Sequence, residues 1–201
     1  FLAQHGDDPQ AGELAFLAGE AHLEAGRAAD AIQWYGRVTK GEYAEVALRG
    51  AGFAEVTRGD ATAAASRFGT YLSKFPRGKF AAEVALQRGV QLVRAKAFGE
   101  AATALSSAPT VQDAQARYWL AMAEAGQGRH EAALAAAQDG LKKSPDETLA
   151  VQLRIAAGDA LFELGRAQEA AALYEQSGSA YALHAAAVAR LNAGDAEEAE
   201  R

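Results

Sequence analysis

The sequence contains no cysteine, one methionine, four prolines and few aromatic residues, and each scarcity excludes something. Without cysteine there is no disulfide and no thiolate metal site. That absence fits a cytoplasmic and a periplasmic protein equally. No run of about 18 consecutive apolar residues occurs, so no segment reads as a membrane-spanning helix. Cations are outnumbered, 20 Lys and Arg against 26 Asp and Glu, a net charge of −6. A general nucleic-acid binder would be basic, so that class is disfavoured. No block of like charge is long enough for a disordered tail. β-Branched residues are scattered and no run alternates with period two, so strands are not expected. The chain lacks an initiator Met, and "FLAQHGDDPQ" reads as the middle of a longer protein.

What remains is alanine and glycine. Half of the residues are apolar but only 8% are aromatic, so alanine carries much of the apolar count. Alanine is the best helix former and a poor core filler, which points to helices that approach one another closely.

A repeat organises the chain. "LAGEAHLEAGRAADAIQWY", "GAGFAEVTRGDATAAASRF", "RGVQLVRAKAFGEAATAL", "LAMAEAGQGRHEAALAAA" and "AAGDALFELGRAQEAAALY" align on their short turns, and "AAAVARLNAGDAEEAER" closes the series. Seven residues before each turn stands a small residue: Gly19, Gly52, Gly89, Ala121, Gly158, Ala187. The turn residues are Gly26, Gly59, Lys96, Gly128, Gly165 and Gly194. Five residues on comes an alanine each time: Ala31, Ala64, Ala101, Ala133, Ala170, Ala199. Four further on stand Tyr35, Phe68, Leu105 and Tyr174, with Ala137 the exception.

Each mark has a physical reason. A small residue mid-helix lets a neighbour approach, and the turn glycine adopts the left-handed conformation that ends a helix. The recurring alanine marks the crossing of the second helix on the first. The Tyr or Phe one turn on fills the wedge beyond it, burial worth roughly 1.5–3 kcal/mol. Pro76 and Pro145 end two units and fit the first turn of the next helix.

This pattern resembles the tetratricopeptide repeat (TPR), a helix–turn–helix unit of about 34 residues, and the resemblance runs along essentially the whole chain. Its departures are Lys96 at a glycine turn and the absence of a large aromatic at Ala15, Leu48, Ala85 and Arg154. The resemblance implies an all-α, right-handed superhelical solenoid of helix–turn–helix TPR units. It has about five full repeats and partial repeats at both ends. The units are 11–42, 43–77, 78–109, 110–145, 146–178 and a partial 179–201, with 1–9 the end of a preceding repeat. First helices are expected near 11–25, 43–57, 79–94, 111–126, 147–163 and 180–192. Second helices are expected near 28–40, 60–74, 98–107, 129–142, 166–176 and 195–201.

Chemistry is hard to place. His130 and Glu131 open a His-Glu-x-x-His pattern, but Leu134 stands where the second ligand belongs. His22 reads as a packing histidine. "GQGRH" lacks a third glycine in register and reads as a turn. No catalytic set, cofactor or metal site is expected.

The concave face is the better candidate. The resemblance points mid-first-helix residues into it: Phe16, Arg49, Leu86, Tyr118, Ile155 and His184. One turn on come Glu20, Phe53, Val90, Met122, Asp159 and Val188. This surface suits an amphipathic helix or extended peptide. The expected function is a non-enzymatic scaffold that binds another protein or peptide, without nucleic acid or membrane insertion. Alternatives are a recruiting domain of a larger enzyme and a self-assembling homo-oligomer. The stretch "ATAAASRFGTYLSKFPRGKFAAEVALQRG" also resembles repeats of bacterial cell-envelope proteins. Examples are the coordinator of the Tol–Pal system and the helical lipoprotein of outer-membrane barrel assembly. That implies a periplasmic or envelope location, with the cytoplasm as alternative. Within the stretch, the basic "KFPRGKF" reads as the hinge between the second and third repeats, with Phe75 and Phe80 packed and Lys74, Arg77 and Lys79 solvated.

Overall fold

Alanine-rich segments separated by short turns give helices throughout. The structure is a computed structural model and describes residues 9–107 and 113–194. Among these the first helices are α1 (Pro9–Glu24), α3 (Ala44–Arg58), α5 (Ala81–Arg94), α7 (Ala114–Ala125), α9 (Glu147–Glu163) and α11 (Ala180–Ala193). The second helices are α2 (Ala28–Tyr35), α4 (Ala61–Lys74), α6 (Phe98–Ser107), α8 (His130–Leu141) and α10 (Ala167–Ser177). The fold is all-α, as the repeat predicts. The expected helix at 195–201, its Ala199, and residues 1–8 with Phe1 lie outside the described residues.

The turns stop and restart helices by specific bonds. Gly26, Gly59, Gly128 and Gly165 have φ between +71° and +79°. The next residue then bonds back across the turn: Arg27 N–H to the His22 carbonyl at 2.8 Å, and Asp60 N–H to Glu55 at 3.1 Å. Arg129 and Arg166 repeat this bond to Glu124 and Leu161, which is the Schellman closure of a helix end. Lys96 holds the same left-handed conformation at φ 59° without being glycine. Helix starts are capped where the chain offers a short polar side chain. Asp60 accepts from Ala63 N–H at 2.9 Å, Asp146 from Leu149 N–H at 2.9 Å, and Ser179 from Ala182 N–H at 3.1 Å.

Two expectations need correction. The second helix expected over 28–40 ends at Tyr35. Gly36, β-branched Val38 and Thr39, and left-handed Gly41 (φ 83°) do not sustain a helix. Neither Pro76 nor Pro145 sits in a first helical turn; α5 begins at Ala81, and Asp146 takes the cap of α9 after Pro145.

The recurring alanines are the crossing points. Ala31, Ala64, Ala101, Ala133 and Ala170 are all 0–1% exposed. The chain divides into two compact units, residues 1–95 and 96–201. In the first, α1 to α5 pack each on the next, and α1 also meets α3. Its core gathers Ala31, Ile32, Tyr35, Ala47 and Ala51, then Ala64, Phe68, Tyr71 and Val84. In the second, α6 to α11 pack each on the next, and first helices α7 and α9 also meet. Leu105, Leu134, Leu153, Leu161 and Tyr174 are buried there among alanines.

Candidate functional site

In three repeats the late aromatic crosses over the small residue of the first helix. A Cβ at Gly19 would lie 2.6 Å from the Tyr35 ring, and one at Gly158 would lie 2.6 Å from the Tyr174 ring. A Cβ at Gly52 would run into the Phe68 ring. The far end of the ring then decides the residue after the small one. The Tyr35 hydroxyl donates to Glu20, and the Tyr174 hydroxyl donates to Asp159 Oδ1 at 2.7 Å. Phe68 has no hydroxyl, and it meets Phe53 edge-on with ring centroids 5.3 Å apart. In each case the two partners are 15 residues apart. Polar ring meets acid and apolar ring meets apolar ring, so three of the candidate groove residues are engaged by their own repeat.

Arg49 is engaged as well. Its guanidinium binds both carboxylate oxygens of Glu83, at 3.0 and 2.6 Å. The Phe53 and Phe80 rings each lie 4.7 Å from it, ring centroid to Cζ. It therefore ties α3 to the start of α5 by a bidentate, ring-flanked ion pair. Phe16 packs against Tyr35 and Tyr43, with centroids 6.1 and 5.4 Å apart. Leu86 and Val90 are buried at 8% and 5% exposure, so a partner does not reach them.

The second unit keeps more of its candidates open. Tyr118 and Ile155 are half-buried, and Met122, Asp159 and His184 are exposed. Tyr118 packs edge-on against Trp119 with centroids 5.2 Å apart. Burial, and then the charge of Asp159, raise the Tyr118 pKa. The Asp159 carboxyl is itself held above its ordinary range. Desolvation by the surrounding helices is the main cause; the bond from Tyr174 opposes it and the Glu163 charge adds to it. Glu163 was not singled out by sequence, although its position one turn beyond Asp159 was the available signal.

The basic turn is built around a second tyrosine. Tyr71 is fully buried; its hydroxyl donates to Glu45 at 2.5 Å and accepts from the Phe80 N–H at 3.1 Å. Phe75 packs on Tyr71 at 5.6 Å, while Lys74, Arg77 and Lys79 are exposed. The turn joins α4 to α5 with its rings packed and its cations exposed. His22 lies parallel to Trp34 and accepts from Arg27 Nε at 3.0 Å, as a packing histidine does. Among the described residues no group of three His, Asp or Glu is placed to hold a metal ion. Among them, too, no helix is long and apolar enough to cross a membrane.

Comparison with known proteins agrees with this geometry. A tetratricopeptide-repeat family model matches residues 1–45 and 103–148. No curated protein matches the sequence. Among solved structures, MamA 41-end from Desulfovibrio magneticus RS-1 is similar, with TM-score 0.70 and 20% identity over 83% of this chain and 92% of that one. A crystal structure of MamA protein gives TM-score 0.68 and 21% identity over 78% and 86% of the two chains. With buried crossing alanines, left-handed turns and these likenesses together, the chain has the helix–turn–helix fold of tetratricopeptide-repeat proteins.

Proposed function

We propose that the chain is a non-enzymatic interaction scaffold that binds a peptide or partner protein on the surface of its first helices, within a bacterial cell-envelope assembly. One observation carries this reading. Among the described residues the exposed large hydrophobic side chains are Leu14, Leu17, Met122, Leu183, Val188 and Leu191. All six lie on first helices, α1, α7 and α11, and none on a second helix. Apolar exposure confined to one class of helix suits protein recognition. The envelope part rests on the likeness of "ATAAASRFGTYLSKFPRGKFAAEVALQRG" to envelope repeats.

The test is site-specific photocrosslinking in the source cell. A crosslinker at Met122 or Val188 should trap a discrete partner, and one at exposed Gln138 on α8 should not. Equal trapping from Gln138 would overturn the surface assignment. A trapped partner resident in the cytoplasm would overturn the envelope placement alone. A second reading, association of copies through α1 and α11, is favoured by Leu14, Leu17, Leu183 and Leu191, which are 48–56% exposed. Light scattering over a concentration series tests it; a constant monomer mass rules it out.

A further inference from the structure

The third repeat departs from the others on one face of its first helix. One residue before the mid-helix small position the chain has Ala51, Leu120, Ala157 and Ala186, all buried, but α5 has Arg88. Two residues after that position it has Ala54, Ala123, Ala160 and Ala189, all buried, but α5 has Gln91. This face meets the preceding second helix. In α1, before which no helix is described, the matching Ala18 is half-buried and Ala21 exposed.

The preceding second helix, α4, makes room for the change. A Cβ at Gly69 would lie 3.4 Å from Arg88 Nε, so the arginine passes over a residue without a side chain. An open cleft of about 550 Å³ lies there, lined by Ser66, Gly69, Thr70, Ser73 and Arg88. Thr70 gives its hydroxyl to the Ser66 carbonyl at 3.1 Å. Arg88 is half-buried and has no carboxylate partner among the described residues, whereas Arg49, Arg117, Arg154 and Arg166 each have one. Gln91 is 2% exposed and its Nε2 has no acceptor. A buried donor without an acceptor is costly, and such groups are few in folded proteins. Two positions that elsewhere hold small or apolar residues thus carry donors without an acceptor among the described residues, and of the two Arg88 lines the cleft.

We propose that the cleft between α4 and α5 is an oxyanion site. The Arg88 guanidinium takes two oxygens of a free phosphate or carboxylate ion, with the Ser66 and Ser73 hydroxyls as further donors. A planar fork of N–H groups matches such oxygens in a way a lysine does not. Partial burial limits screening of the pair by water and salt.

The test uses the 201-residue chain with its arginine and glutamine side chains labelled for NMR. It is titrated with sodium phosphate, and separately with sodium acetate, at ionic strength held constant with chloride. The Arg88 Nε–H signal should shift and saturate in at least one arm, and the arm that saturates first identifies the preferred oxyanion. Arg77, exposed in the same unit, should drift only linearly. Gly69→Leu, which fills the space beneath the guanidinium, should abolish saturation. If Gly69→Leu loses helicity, Ser66→Ala with Ser73→Ala replaces it and should weaken the saturation read on the Arg88 Nε–H. An Arg88 shift that tracks Arg77 in both arms overturns the proposal. So does saturation that persists in the blocking variant.

Discussion

Tyr174 and Asp159 show what one side-chain pair contributes. A hydrogen bond to a charged group is worth about 1.5–3 kcal/mol, and less where water competes, as at exposed Asp159. Tyr174→Phe should therefore cost about 1 kcal/mol in urea unfolding. Adding Asp159→Phe, which copies the Phe53–Phe68 pair, should recover part of it. Gly158→Ala should cost about 1–3 kcal/mol by overpacking against the Tyr174 ring. Tyr71 gives a pH signature. Burial, and then the bond to Glu45, push its hydroxyl up to about 12. The folded chain then keeps a proton that the unfolded chain releases near pH 10, so stability falls as pH rises from 10 towards 12. Tyr71→Phe removes that term, so its urea midpoint should fall less steeply than wild type across that window. The glycine and the late aromatic were legible in sequence as separate marks. Their coupling was not, because it depends on where the ring's hydroxyl emerges after the helices cross.

The turns are where element and sequence agree most closely. Lys96 occupies a left-handed site that glycine fills at Gly26, Gly59, Gly128, Gly165 and Gly194. A side chain there costs about 1–2 kcal/mol, so Lys96→Gly should raise the unfolding free energy by about 1 kcal/mol. In the basic turn the three cations are exposed, and only Lys79 reaches a ring, with its Nζ 5.4 Å from the Phe80 centroid. Replacing Lys74, Arg77 and Lys79 together with Gln should move stability by no more than about 0.5 kcal/mol per site. Phe80→Ala should cost about 2–3 kcal/mol, below the range for a fully buried ring, because Arg49 loses one of its two flanking rings. Most helix bounds were legible from the turn spacing. The early end of α2 was not, because Gly36 to Gly41 break the helix without a proline.

The repeat number and the all-α class were legible at the scale of the molecule. The division at Lys96 was not, since the spacing carries on across it. Repeat arrays unfold by neighbouring segments rather than always as one body. Gly158→Ala should therefore lower hydrogen-exchange protection in α9 and α10 while leaving that of α1 to α3 unchanged. Loss of protection throughout would mean that the two units unfold together. The candidate binding surface was legible only in part. Register tells which residues stand mid-first-helix, but coverage depends on the neighbours. Leu86 and Val90 are buried, Glu20 and Phe53 are engaged by their own second helices, and Met122 is left open.

The pairing at 15 residues also bears on how such a chain changes over generations. If Tyr174 alone is lost, an acid is left without its donor; if Asp159 alone becomes apolar, a hydroxyl is left facing carbon. Either single step passes through a weaker protein, so the two positions should be inherited as a unit. Repeats of one chain then drift apart in letters while keeping the same distance between partners. A search for this architecture should score residue pairs rather than single columns, and it would recognise units that a consensus motif passes over.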